Sequence, residues 1–458
     1  MSERYSIGKT PNNIGGAVWA MSEGSTVVRE GAGGAAETPA DILPRLGPGL
    51  ITGAADDDPS GIATYSQMGA QFGFGMLWTM LFSYPLMAAM QEICARLGRI
   101  TGVGIAENLR RHYSKSVVYG LVLLLCLANI FNLGADISAM GAATQLVFGG
   151  SLNVYAVLLG ALSLLLQVYV PYKKYVQYLK WLTTVLFAYV ATAFVVHVPW
   201  AKAIRATVVP ALTFRSEYWM ALVAVLGTTI SPYLFFWQTS EEAEDARINA
   251  HESPLRKKPS QAFAQFHRIA MDTRVGMGFS NLVAFFIILT AAVTLHVEGG
   301  AGEIRTAADA AKALQPLAGN LAFGLFALGI IGTGLLAVPV LAGSAAYAVA
   351  ESFQWRAGLE RKPRQAPKFY GVLAAAIGIA TLLNFTGLDP IRALYWSAVI
   401  NGIVSVPLML MLMLMSMKKA VVGQFVLPAY LRVLGWAATG VMLVASLAFI
   451  ASAIHGQH

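Results

Sequence analysis

Charge is what this sequence lacks most. Asp, Glu, Lys and Arg make up 12% of its 458 residues, about half the share (~25%) found in average soluble domains. With 56% hydrophobic residues, a water-soluble fold could not cover its own apolar content; a bilayer removes that need. Cysteine is nearly absent too. Cys94 and Cys126 each sit inside an apolar run, which excludes a disulfide framework or a thiolate metal centre and leaves two small buried hydrophobes. The seven histidines have no metal-ligand spacing, and neither a nucleophile elbow nor a phosphate loop occurs, so an enzyme is not expected. The net charge of +8 is dispersed between apolar runs rather than gathered in one basic domain, which argues against nucleic acid as a partner.

What is present is apolar length. Runs of about 18 or more residues, each enough to cross a bilayer, recur from Leu46 to Ile454. Their breaks predict eleven spans, at about 47–72, 75–97, 117–148, 153–171, 177–198, 218–240, 275–297, 320–350, 370–386, 390–415 and 429–454. Residues 1–43 are rich in Gly, Ala, Ser and Thr without a continuous apolar core, and read as a flexible cytoplasmic tail rather than a signal or a span. The basic residues alternate. Even-numbered connections carry Arg96, Arg99, Arg110, Arg111 and Lys115; Lys173, Lys174 and Lys180; Arg247, Arg256, Lys257, Lys258, Arg268 and Arg274; Arg356, Arg361, Lys362, Arg364 and Lys368; and Lys418 and Lys419. The first and third connections carry none. By the positive-inside rule the even connections face the cytoplasm, with the N-terminus inside and the C-terminus outside.

Two spans are interrupted. Asp56-Asp57-Asp58-Pro59-Ser60-Gly61 breaks the first, and Gly227-Thr228-Thr229-Ile230-Ser231-Pro232 breaks the sixth. Pro59 and Pro232 each remove a backbone donor and clash with the preceding turn, so the helix kinks or unwinds. Broken helices five spans apart suggest two five-helix units of opposite orientation, an arrangement of secondary transporters; two unrelated proline kinks remain the alternative. An ionised Asp at a helix centre costs about 2.5–3.5 kcal/mol on insertion scales. It persists where a cation or water compensates, and unwound carbonyls add hard oxygen donors. Asp58, next to the proline, is the expected ligand. Asp56 and Asp57 either line the site or lie solvated at a rim. Ser231 would face the site from the sixth span, although a lone serine more often bonds the carbonyl four residues back. Glu241, Glu242, Glu244 and Asp245 read as a solvated run balanced by the basic loop after it.

The stretch from Gly47-Pro48-Gly49-Leu50 to Asp58-Pro59-Ser60-Gly61, with Gln67-Met68-Gly69-Ala70, Leu77-Trp78, Ala95-Arg96-Leu97-Gly98, Thr101-Gly102 and Ala350-Glu351-Ser352-Phe353, resembles the Nramp divalent-metal transporters over residues 44–415. The resemblance implies an all-α membrane protein with the LeuT-type fold: two inverted five-helix repeats, at 44–198 and 199–415, plus an eleventh transmembrane helix within 416–458. It places metal ligands at the Ala55 carbonyl, Asp58, the Thr228 carbonyl and Ser231, with Asp57, Gly61 and Asn401 as possible further lining.

The departures matter. Where the family has Asp-Pro-Gly-Asn, the Asn position here is Gly61; where it has a methionine before the sixth-helix proline, this chain has Ser231. Loss of a thioether makes the site harder, and Gly61 is expected to make it roomier. Both features resemble the Nramp-related magnesium transporters, a divergent clade. The family's histidine after that proline is Tyr233 here, and the ninth span lacks the family's basic residues; Asp136 alone keeps an acidic position of the proton route. The expectation is therefore a bacterial cytoplasmic-membrane carrier for Mg²⁺, and also Mn²⁺, that is not proton-coupled. These ions are substrates, and no resident cofactor is expected. A monomer is compatible with the sequence. The alternatives are a proton-coupled Mn²⁺/Fe²⁺ transporter of the Nramp type, an organic-solute carrier of the same fold, and a cation sensor that no longer transports.

Overall fold

The computed structural model describes residues 48–170, 182–248, 252–296 and 304–455. The expected tail at 1–43 and the lysines Lys173, Lys174 and Lys180 lie outside them. The described chain is helical. Its principal helices are α1 (Pro48–Asp56), α2 (Pro59–Phe72), α3 (Trp78–Thr101), α4 (Ile105–His112), α5 (Lys115–Phe148), α6 (Leu152–Tyr169), α7 (Phe187–Val195), α8 (Trp200–Val208), α9 (Ser216–Thr229), α10 (Pro232–Ile248), α11 (Ala262–Thr294), α12 (Ala322–Ser352), α13 (Pro367–Leu383), α14 (Pro390–Met417) and α15 (Ala429–His455).

Among the described residues eight helical segments are long and apolar enough to cross a membrane, or nine if Pro59–Met76 and Trp78–Thr101, which meet at 108°, count as one. The differences from eleven have local causes. The first expected span is divided at Asp57–Asp58 into α1 and α2, and the second is α3, one arm of that bent pair. The fifth is described only as the short apolar helix Thr183–Val195.

Both breaks are where proline requires them. Pro59 and Pro232 open α2 and α10, positions at which the missing N–H is not needed for an intrahelical bond. Packing then holds the short pieces. α11 lies along both α1 and α2, α9 along α14, and α12 along α5. At Gly53 the α1 backbone meets the Gly276 backbone of α11, and at Gly227 the α9 backbone meets Ala398 and Gly402 of α14. Helices in a bilayer gain from such close approach because no hydrophobic drive separates lipid from protein.

The end of the bundle carrying the basic connections is tied by polar contacts. Arg99 of α3 is fully buried, donates to Gln265 at 2.7 Å and pairs with Glu252 and Asp245. Arg268 of α11 donates to Glu242 of α10 at 2.6 Å, and Asp272 one turn on accepts from the Gly49 amide of α1 at 2.7 Å. Glu244 accepts from Tyr347 at 2.6 Å and from the Glu360 amide at 3.1 Å. The acidic run after the sixth span is thus not a solvated one: Glu242 and Glu244 are buried and hold α3, α10, α11 and α12 together. Tyr430 of α15 donates to Glu92 of α3 at 2.7 Å, docking the last helix to the rest.

Adding a β-carbon at Gly53 would force two backbones apart, an overpacking cost of about 1–3 kcal/mol. Gly53→Ala is expected to lower the melting temperature in detergent, whereas Gly120→Ala, where a β-carbon meets nothing within 4 Å, is not. Equal melting temperatures for the two variants would contradict this packing.

Candidate cation site

The two broken spans meet at their breaks. Thr52 of α1 donates to Gln238 of α10. The Tyr233 hydroxyl of α10 stands 3.3 Å from the Ala55 carbonyl and 3.4 Å from Asp58 Oδ2, with one proton to give to either. The carbonyl ends of α1 and α9 both open towards the breaks, and helix C-termini carry partial negative charge. The ladder ends there because Asp58 is extended, with φ −71° and ψ 171°.

Asp58 has the most complete set of partners. Its Oδ1 caps α2, accepting from the Gly61 amide at 2.7 Å and from Ser60 Oγ at 2.8 Å. Its Oδ2 accepts from Asn132 Nδ2 of α5 at 3.0 Å. The same amide nitrogen lies 3.3 Å from Asp136 Oδ2, and Asn132 Oδ1 accepts from Asn401 of α14 at 3.4 Å. Asp136 Oδ1 and Asn401 Oδ1 are buried without a hydrogen-bond partner. Asn132 is therefore the link between Asp58, Asp136 and Asn401. Sequence reasoning missed it, although an amide one helical turn before Asp136 in an apolar run was a usable signal.

The remaining expected residues fall as follows. Ser231 Oγ donates back to the Thr228 carbonyl at 2.7 Å and lies 3.0 Å from the Gly227 carbonyl, the local bond a lone serine makes; its lone pairs stay free. Asp56 and Asp57 are at most 1% exposed, so neither is at a solvated rim. Both approach Ser280 Oγ of α11, at 2.7 and 3.0 Å, a serine that nothing in the sequence singled out. Gly61 does not leave the expected room. A β-carbon there would stand 3.2 Å from Thr228 Oγ1, 3.3 Å from the Tyr65 ring and 3.4 Å from the Asp56 carbonyl, so neighbouring side chains already fill that space.

Four carboxylates, Asp56, Asp57, Asp58 and Asp136, are buried here, and none pairs with a Lys or Arg among the described residues. At about 2.5–3.5 kcal/mol each on insertion scales, four ionised groups would cost on the order of 10 kcal/mol. Hydrogen bonds to charged groups return roughly 1.5–3 kcal/mol apiece, enough for Asp58 with its four donors and too little for the cluster. Among the described residues no three His, Cys, Asp or Glu side chains converge as a metal cage. Any cation held here would depend on carbonyls, hydroxyls or water beside one or two carboxylates.

Comparison with known proteins gives a family. The family model described as natural resistance-associated macrophage protein-like, Nramp, matches residues 49–452. Two relatives from Klebsiella pneumoniae strains, both named divalent metal cation transporter MntH, are 26% and 27% identical over 414 residues, covering 88% of this chain and 92% of theirs. A mutant of the Eremococcus coleocola manganese transporter superposes with a TM-score of 0.70 at 18% identity, covering 91% of this chain and 88% of its own. Mhp1, a nucleobase-cation-symport-1 family transporter, superposes with a TM-score of 0.55 at 14% identity, covering 90% and 93%. These likenesses give the fold, that of an all-α, multi-spanning membrane protein. A family model that matches residues 49–452 makes this protein a member of the Nramp family.

Proposed function

We propose that the chain is a secondary transporter that carries divalent metal cations across the bacterial cytoplasmic membrane by alternating access. The observation that carries this reading is the meeting of two broken helices around buried carboxylates that have no basic partner among the described residues. On this reading the Ala55 and Thr228 carbonyls, Asp58 and Ser231 replace part of the ion's water shell. Asn132, Asn401, Asp136 and Tyr233 surround that position. We also propose eleven spans in two inverted five-helix units, at 44–198 and 199–415, with an added helix, the N-terminus inside and the C-terminus outside. The two similarly divided helices and the alternating basic connections support this.

For the ion itself, the relatives are named for divalent metals and for manganese, which supports Mn²⁺, and with it the alternative of a proton-coupled Mn²⁺/Fe²⁺ transporter of the Nramp type, over the Mg²⁺ reading. One observation favours Mg²⁺ as a second reading. The oxygens around the breaks have no thioether among them at Ser231, and an all-oxygen site discriminates poorly against hard cations. Against coupling stands Tyr233, beside Asp58 where the family has a histidine. A carboxylate cluster disfavours an organic anion as substrate.

Three measurements in proteoliposomes separate these readings. Asp58→Asn is expected to reduce Mn²⁺ uptake at least tenfold, equivalent to about 1.4 kcal/mol or more of lost interaction; undiminished uptake would sink Asp58 as a ligand, and no uptake by either protein would sink the transporter reading. Excess Mg²⁺ should leave Mn²⁺ uptake intact if the ion is Mn²⁺ or Fe²⁺ and suppress it if the ion is Mg²⁺. In the second case Ser231→Met should restore Mn²⁺ preference by about tenfold. Finally, proton-coupled transport acidifies the lumen in step with metal entry at clamped membrane potential, and uncoupled transport does not.

A further inference from the structure

We propose that α8, the short helix between α7 and α9, lies in the headgroup layer of the bilayer and binds anionic lipid there. Trp200, Ile204 and Val208 enter the acyl boundary, and Lys202 and Arg205 hold lipid phosphates. This goes beyond metal transport and does not depend on it; it needs only that the chain spans a membrane.

Residues three or four apart on a helix share a face, and α8 has three. Ala203 and Thr207 make the first. Ala203 is buried, Thr207 donates to its carbonyl at 2.8 Å, and the helix packs against α3 and the Gly73–Met76 turn that precedes it. Trp200, Ile204 and Val208 make the second face, and they are 40, 61 and 56% exposed. Lys202 and Arg205 make the third. Both are exposed, and neither has a carboxylate partner among the described residues. No Asp or Glu lies between Pro199 and Ser216, while Arg215 adds a further positive charge. These basic residues are at the wrong end of the bundle. The Gly73–Met76 turn is at the start of α3 and the buried Arg99 is in its last turn, so α8 lies opposite the end where basic residues are expected to gather. Their counter-charge has to come from outside the chain.

The apolar face shows where that counter-charge lies. Phe194 and Val195, at the end of the apolar helix α7, are exposed, and the Phe194 ring is 5.7 Å from that of Trp200. The stripe on α8 thus continues the bare apolar surface of a span and starts where that surface stops, at the level of the lipid headgroups. Tryptophan is favoured at that depth. A helix with one apolar and one basic face is suited to lie there, because long basic side chains reach up to the phosphates while their stems stay among apolar groups. Unpaired basic residues favour anionic over zwitterionic headgroups. A second copy of the chain fits this face poorly. Two-fold pairing through it would set Lys202 and Arg205 of both copies side by side, with no acidic residue between them.

The test places a fluorophore on the full chain through Ile204→Cys, with Cys94→Ala and Cys126→Ala to remove the native thiols, in vesicles of phosphatidylcholine and phosphatidylglycerol. An unchanged melting temperature reports that the labelled chain is folded. Lipids brominated on their acyl chains are expected to quench the label, and a neutral aqueous quencher is not. Brominated phosphatidylglycerol should quench more strongly than brominated phosphatidylcholine at the same mole fraction, and Lys202→Gln and Arg205→Gln should each cut that preference about fivefold. Quenching from water would put this face in solvent, and quenching by neither agent would put protein over it, a second copy included; each overturns the proposal. Equal quenching by the two brominated lipids, or a preference that survives both glutamine substitutions, would overturn the assignment of Lys202 and Arg205 to anionic lipid. No metal enters the measurement, so its outcome is separate from that of the uptake assays.

Discussion

Everything in this structure is arranged around carboxylates that a membrane interior should not hold. Asp58 is tolerable because it is placed where a helix starts. Its Oδ1 caps α2, and the positive end of that helix stabilises the charge. Its second oxygen is met from α5 and α10. A helix that ran unbroken through residues 57–59 would offer neither the cap nor the open carbonyl of Ala55. Pro59 and Pro232 therefore determine the electrostatics as well as the path of the chain, by making carbonyl ends and one capped carboxylate meet.

Short helix pieces need something to hold them. α1 has nine residues, below the length at which an isolated helix is stable in water. It is kept by tight backbone contact at Gly53, by the Gly49 amide on Asp272, and by Thr52 on Gln238. Asp272 lies one turn from Arg268, which bonds Glu242, and the chain of contacts ends on the buried Arg99. Removing one member of such a buried network leaves its partner uncompensated, at about 3–5 kcal/mol. α1 is thus held by its packing along α11 and by polar ties to α10 and α11.

The large features were legible in the sequence because each has a strong local cause. Apolar length gives spans, proline gives breaks, and an Asp beside a proline in an apolar run gives the candidate ligand. The end of the first span at Phe72 was legible as well, where Gly73 at φ 56° closes α2, but the 108° between α2 and α3 had no signal in the sequence. The burial of Glu242 and Glu244 could not be read, because a charge run looks the same whether it faces water or an arginine from another helix. Ser280 was invisible for a similar reason. A single serine on a long apolar helix acquires meaning only when α11 brings it against Asp56 and Asp57. The space beside Gly61 was misread because a glycine says what its own side chain lacks and nothing about Tyr65 or Thr228, which close over it.

The partners of Asp58 also define what an arriving ion must change. Donors cannot remain on an oxygen that coordinates a cation at full strength, since both compete for the same lone pairs. In the proposed reading, an ion on Asp58 Oδ2 displaces Asn132 Nδ2 and the Tyr233 hydroxyl. Asn132 then has Asp136 as its remaining acceptor and Asn401 as its donor, so the displaced amide turns to a carboxylate on its own helix. Tyr233 loses Asp58 and keeps the Ala55 carbonyl, itself a proposed ligand, so it must yield there as well. An ion therefore loosens both α5 and α10 from the first break. The same few oxygen atoms thereby connect occupancy of the site to the packing of four helices, which is the requirement any alternating-access carrier has to meet.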